Sequence, residues 1–226
     1  MADSVAPAAT TEHAHSHPDY VQHHFHDATQ QRESSKFGMW VFLVTEVLFF
    51  GGLFAAYAIY HTWHPETFHD AHKVLDWRLG MLNTFVLITS SLTFALSIRY
   101  LQVDKVKVAL YNLIATFVLA GTFMVVKYFE YAHKFHLGQL PGKYYTYTGL
   151  EETVNPHVFF SIYFMMTGLH GLHVLIGMGV IVWLIVRTAK GHFHSQYYNP
   201  VEVSGLYWHL VDLIWIFLFP LLYLIA

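Results

Sequence analysis

The apolar residues of this chain come in long unbroken runs, not in the alternating or amphipathic spacing of a soluble fold. Five runs stand out: Phe37–Tyr60, Leu79–Leu101, Ala109–Tyr131, Val158–Val186 and Val203–Ile225. About 20 apolar residues, rising ~1.5 Å each, cross the ~30 Å of a bilayer's hydrocarbon core. Backbone N–H and C=O groups inside lipid must pair within the chain, so each run is expected to be a helix. The pattern predicts an all-α fold, a multi-pass transmembrane helix bundle of five spans. The fourth run is longer than one bilayer needs and is expected to tilt or to project beyond it. Residues 1–36 read as a His-rich polar arm with too little apolar surface to fold alone. Residues 37–226 read as the five-helix transmembrane domain.

Composition sharpens this in a few places. Of 226 residues, 55% are hydrophobic and only 12% charged. There is no cysteine, which removes disulfides, thiolate ligands and cysteine nucleophiles. The arm is polar and carries acidic residues, unlike a secretory signal or transit peptide, and the first apolar run is too long for a signal core. A net charge of -3 gives no reason to expect a nucleic-acid partner.

Five spans put the two termini on opposite sides. Arg32, Lys36, Arg99, Lys105, Lys107, Arg187 and Lys190 fall on the N-terminal side, and Lys73, Arg78, Lys127, Lys134 and Lys143 on the other. The excess of basic residues places the N-terminus in the cytoplasm and the C-terminus in the periplasm.

Ionisable side chains inside a span are costly and are expected to face protein. Glu46 lies mid-way along the first run and Glu130 near the end of the third. His170 and His173 lie in the fourth. Glu202 opens the fifth, with His209 and Asp212 further in. Glu202, Gly205, His209 and Asp212 step by three and four residues and so share one stripe of a helix. His170 and His173 share a face too, with Gly168, Gly171 and Gly177 nearby to admit a close helix approach. Three readings remain open for these groups: haem ligation by paired imidazoles, proton or ion transfer along a Glu/His/Asp chain, or hydrogen bonding that fixes the packing of the bundle. An isolated carboxylate in hydrocarbon would neutralise, so Glu46 is expected to be protonated or hydrogen-bonded to a buried histidine.

Several segments together resemble subunit III of the haem–copper respiratory oxidases. They are "TEVLFFGGLFAAY" (Thr45–Tyr57), "LNTFVLITSS" (Leu82–Ser91), "FEYAHKFH" (Phe129–His136), "TGLHGLHVLIG" (Thr167–Gly177) and "VEVSGLYWHLVDLIWIFLF" (Val201–Phe219), in family order and covering nearly all of Phe37–Ala226. The family's full-length form has seven spans in two bundles around a lipid-filled cleft; this chain matches the last five, as shorter bacterial members do.

The resemblance implies a chain with no catalytic site and no redox cofactor or metal of its own. It implies packing on oxidase subunit I, which with subunit II holds the haem and copper, and bound phospholipid. It implies support of proton uptake and turnover, within a bacterial cytoplasmic (inner) membrane. Residue by residue, Glu46 matches the family's intramembrane carboxylate, and His170 and His173 its histidine pair. Glu202, His209, Asp212 and Trp215 match its last-helix motif, and Arg187 a basic position that meets lipid headgroups. With Glu130, the intramembrane members are expected to form an internal polar network. The sequence departs from the family at Lys127, where glutamine is usual; a new ion pair with Glu130 and altered packing are both open.

Twelve further histidines form two clusters. His13, His15, His17, His23, His24 and His26 lie in the arm; His61/His64, His69/His72 and His133/His136 are H-x-x-H pairs on the outer side. Such clusters can bind copper or zinc, but no carboxylate or thiolate completes a site pattern here. The leading functional expectation is subunit III of a cytochrome c oxidase. A quinol oxidase subunit III, a similar accessory protein of nitric oxide reductase, and a free-standing transporter or b-haem protein are the alternatives.

Overall fold

The computed structural model describes residues 21–150 and 155–225; His13, His15 and His17 lie outside them. Among the described residues six α-helices follow one another: α1 (Ala28–Trp63), α2 (Pro65–His72), α3 (Trp77–Gln102), α4 (Val106–His136), α5 (Pro156–Ala189) and α6 (Asn199–Tyr223), with a 3₁₀ turn at Gly142–Tyr144. The fold is all-helical, and α1, α3, α4, α5 and α6 are long and apolar enough to cross a membrane. At 25 to 36 residues they extend roughly 38 to 54 Å, so each outlasts the hydrocarbon core.

Two helix starts and one helix end are set by local capping rather than by where hydrophobicity stops. Asp27 accepts a bond from the backbone N–H of Gln30 and starts α1 inside the polar arm. Asp76 does the same for Arg78 at the head of α3. At the end of α4, Gly138 turns left-handed with φ 74°, letting the N–H of Gln139 close back on the carbonyl of Lys134.

The short α2 has no counterpart in the apolar runs. Pro65 stands at its start, and it buries Phe68 and Ala71 completely. Phe68 sits edge-on to both Tyr57 and Phe159, so α2 folds over the end of the bundle.

Helix α6 lies at the centre, packed on α1, α3 and α5, while α4 closes the ring between α3 and α5. Half of the apolar window of α6 is buried inside the protein (50%), against 11% for α1. Most of α1 therefore lies on the outside of the bundle. Glycines admit the tightest crossings: a Cβ on Gly177 would lie 2.7 Å from the Trp208 ring, and one on Gly205 would lie 2.9 Å from Ile98. Gly168 and Gly171 behave differently from the expectation of close approach. Nothing lies within 4 Å of a Cβ on Gly171, and only the Tyr131 hydroxyl, at 3.8 Å, comes near Gly168. Their missing side chains open a groove instead of admitting a helix.

Lys127 and Lys134 are buried within α4. Taking these two from the five basic residues of the C-terminal side leaves Lys73, Arg78 and Lys143 there, against seven on the N-terminal side.

Candidate functional site: an intramembrane polar framework

The intramembrane polar residues do not converge on one centre. They form separate links between helices at different depths.

The mid-span link joins α1 to α5. Glu46 Oε2 lies 3.0 Å from His173 Nε2, and His173 Nδ1 lies 2.8 Å from the carbonyl of Leu169, one turn back. A carbonyl only accepts, so Nδ1 carries a hydrogen. One further proton is then shared between Glu46 and Nε2, either as imidazolium and carboxylate or as neutral imidazole and carboxylic acid. Both side chains retain 15–16% exposure at the outer face of the pair. Phe50 covers the imidazole edge-on at 5.1 Å, and the Tyr207 hydroxyl donates to the His173 carbonyl.

His170 turns into the core instead. It is fully buried between Phe123 and Trp215, with ring centroids at 5.6 and 5.2 Å, and neither ring nitrogen has a hydrogen-bond partner.

Helix α6 is tied to α3 by a row of hydroxyls. His209 Nδ1 meets Ser91 Oγ at 2.6 Å. The indole of Trp208 donates to Ser90, and that of Trp215 donates to Thr84. Asp212 is buried and faces Ser91, yet neither carboxyl oxygen has a hydrogen-bond partner within 3.5 Å. Glu202 belongs to none of this. It pairs with Lys36 of α1 at 2.7 Å, part-exposed at the N-terminal side.

The densest cluster surrounds Glu130. Its Oε2 accepts from Lys127 at 2.9 Å, and its Oε1 accepts from Tyr163 and Tyr223 at 2.7 and 2.6 Å. The Lys127 ammonium also donates to the Tyr223 hydroxyl and lies 4.6 Å from the Trp215 ring centroid. Lys134, one turn beyond Glu130, sits over the Tyr163 ring at 4.9 Å. The departure at Lys127 thus forms an ion pair with Glu130. Tyr163 and Tyr223 were not singled out from the sequence. A buried Lys–Glu pair three residues apart signals a need for further donors, but nothing in the sequence says which hydroxyls supply them.

Arg187 stands exposed near the end of α5, with its guanidinium 5.2 Å from the Trp183 ring. Cation and indole stack at the height where a membrane interface is expected.

The described H-x-x-H pairs make no joint site. His61 stacks on Tyr57, and His69 lies 5.5 Å from His72, centroid to centroid. Among the described residues, no group of three or more His, Cys, Asp or Glu side chains could hold a metal ion. His173 and His209 are bonded to side chains of different helices, and His170 is enclosed by aromatic rings, so the three imidazoles face three different surroundings.

A family model described as cytochrome c oxidase subunit III matches residues 19–226. The chain is 32% identical to a cytochrome c oxidase subunit 3 of Thermostichus vulcanus, over 99% of this chain and 96% of the relative. It is 29% identical to a protein of Aeropyrum pernix named heme-copper oxidase subunit I+III, over 92% of this chain but 24% of that longer protein. It is 28% identical to a probable quinol oxidase subunit 3 of Staphylococcus haemolyticus, over 88% of this chain and 92% of the relative.

Proposed function

The chain belongs to the cytochrome c oxidase subunit III family, and from that premise we propose that it is the non-catalytic, lipid-binding subunit III of a proton-pumping terminal oxidase. It packs on subunit I, in a complex whose haem and copper belong to the partner subunits. It stabilises subunit I and supports its proton uptake during sustained turnover. Cytochrome c is the electron donor in this reading, and the bacterial inner membrane is the location, with the N-terminus in the cytoplasm.

One observation carries the partnership with subunit I: a relative matching 92% of this chain bears the name subunit I+III, so the two are one polypeptide there. The links described above support a structural role for Glu46, Glu130, His173, Glu202, His209 and Trp215; His170 and Asp212 are assigned to the same framework by their burial in the core alone. Glu46–His173, Lys36–Glu202, Ser91–His209, Thr84–Trp215 and the Tyr163 and Tyr223 bonds to Glu130 each tie one helix to another, as a scaffold requires. Arg187, exposed beside Trp183, is suited to a lipid phosphate. The quinol oxidase reading is kept by the similarity to a protein named for that activity.

The test is purification of the complex in mild detergent, with mass spectrometry of its subunits and a reduced-minus-oxidised spectrum. A haem-bearing subunit I and a subunit II with a copper site are expected; a haem-bearing subunit I whose subunit II lacks copper would move the assignment to a quinol oxidase. Removing this chain from the complex is expected to leave the haem spectrum unchanged while sustained oxygen consumption fades sooner. A chain that purifies alone would overturn the reading.

A further inference from the structure

Between α4 and α5 runs an open apolar groove of about 510 Å³. Its walls change character along its length. At the end nearer the C-terminal side stand Tyr131, hydrogen-bonded to Thr167, and Phe135; at the deep end are Met124 and Leu175. Met124 to Phe135 is 11 residues, roughly 16 Å of helix. That is about half of the ~30 Å hydrocarbon core, so the groove occupies one leaflet and stops near the mid-plane. A partner's transmembrane helix would need a contact strip running the full span. A hydrocarbon chain entering from one membrane surface needs only this length. The gradient from hydroxyl-bearing aromatic walls to aliphatic ones is also what an amphiphile meets between interface and mid-plane.

The floor is opened by Gly168 and Gly171. A glycine within a helix costs stability relative to alanine, and here neither is needed for helix packing. With the groove empty, the inner wall beside Lys127 would face the bilayer directly, and Lys127 belongs to the buried Glu130 cluster. An occupant that fills the groove seals that cluster from water and headgroups.

We propose that the groove between α4 and α5 holds one acyl chain of a phospholipid from the leaflet on the C-terminal side. This requires only that α4 and α5 span a membrane. It is separate from the Arg187 headgroup contact, which lies toward the opposite membrane surface, and from any assignment of the oxidase.

The experiment uses the intact complex reconstituted in phosphatidylcholine vesicles doped with a phosphatidylcholine that carries a diazirine midway along one chain. After photolysis, adducts are mapped by mass spectrometry. In the native chain, adducts are expected on Leu172, Leu175 or Met124. Gly171→Phe, at a position where an added Cβ has nothing within 4 Å, fills the floor and is expected to abolish them. Gly179→Phe, equally open but outside the groove, is expected to leave them unchanged. Should Gly171→Phe fail to fold, Leu175→Trp, at an already exposed position, closes the deep end from outside and serves the same purpose. Unchanged adducts in a folded groove-filling variant would overturn the proposal. So would adducts spread evenly over α4 and α5, or loss of a partner subunit in place of a lipid.

Discussion

Lys127 and Glu130 lie three residues apart on α4 and meet at 2.9 Å inside the helix bundle, both at least nine-tenths buried at the side chain. Two tyrosines complete the carboxylate's shell and three aromatic rings surround the ammonium. Removing one member of a buried ion pair leaves the other uncompensated, at about 3–5 kcal/mol. Glu130→Ala is therefore expected to lower the thermal midpoint of the complex sharply. Lys127→Gln should do so much less, since Glu130 keeps both tyrosine donors. Equal melting of the two variants in detergent would contradict this asymmetry.

Glu46 and His173 share one proton in their contact. Glu46→Gln can still donate to a neutral Nε2, so the α1–α5 link survives at a cost of about 1 kcal/mol. Glu46→Leu removes it. Infrared difference spectra between the native complex and Glu46→Gln should show whether a protonated-carboxyl stretch belongs to Glu46. The measurement that counts against the link is equal stability of the Gln and Leu variants.

Asp212 is buried with no hydrogen-bond partner for either oxygen, while the neighbouring His209 has Ser91. A buried polar group without partners costs roughly 1–3 kcal/mol. Asp212→Leu is expected to raise the thermal midpoint or leave it unchanged. Ser91→Ala, which orphans His209, should lower it. A large loss of stability in Asp212→Leu would reveal a partner for that carboxyl in the assembled complex.

The glycines of α5 separate cleanly by position. Gly177→Ala forces a Cβ to within 2.7 Å of the Trp208 ring, and overpacking of this kind costs about 1–3 kcal/mol. Gly171→Ala meets nothing and gains helix propensity, so stability should hold or rise slightly. A melting comparison of the two single variants decides it.

Arg187→Ala should leave the haem spectrum and the subunit content intact. Retention of anionic phospholipid through purification should fall by about five-fold, the effect of roughly 1 kcal/mol for a basic residue at a membrane surface. Retention identical to the native complex would remove Arg187 from the lipid contacts.

The five spans were legible because their runs are long and uninterrupted, and nothing but a helix satisfies the backbone there. Helix ends were less so: α1 begins at Ala28, in the polar arm, because Asp27 caps it. Helix α2 escaped because its eight residues carry a mixed, polar-looking pattern and gain order by burying Phe68 against Tyr57 of α1 and Phe159 of α5. Within the site, the i,i+3 spacing exposed Lys127–Glu130, whereas Tyr163 and Tyr223 lie 33 and 93 positions from Glu130, a distance that only the packing closes. Gly168, Gly171 and Gly177 are indistinguishable as letters. What separates them is the helix opposite: α6 presents Trp208 to Gly177, and α4 leaves a gap beside Gly168 and Gly171.

Helix α1 touches the bundle through three polar contacts spread along its length: Lys36 on Glu202, Glu46 on His173, and the Tyr57 hydroxyl on the carbonyl of Leu221. The steps from 36 to 46 and from 46 to 57 are about 2.8 and 3.1 turns, so all three contacts lie within one arc of roughly 80° on the bundle-facing side of the helix. Lipid offers an apolar helix little reason to prefer one rotation about its axis over another, because every face is equally at home in hydrocarbon. These three contacts supply that reason. They act as a key whose teeth engage only at one azimuth, and a rotation by one residue, about 100°, would disengage all of them together. The direction in which Trp40, Leu48 and Gly51 look out from the bundle is thereby settled before any partner subunit arrives.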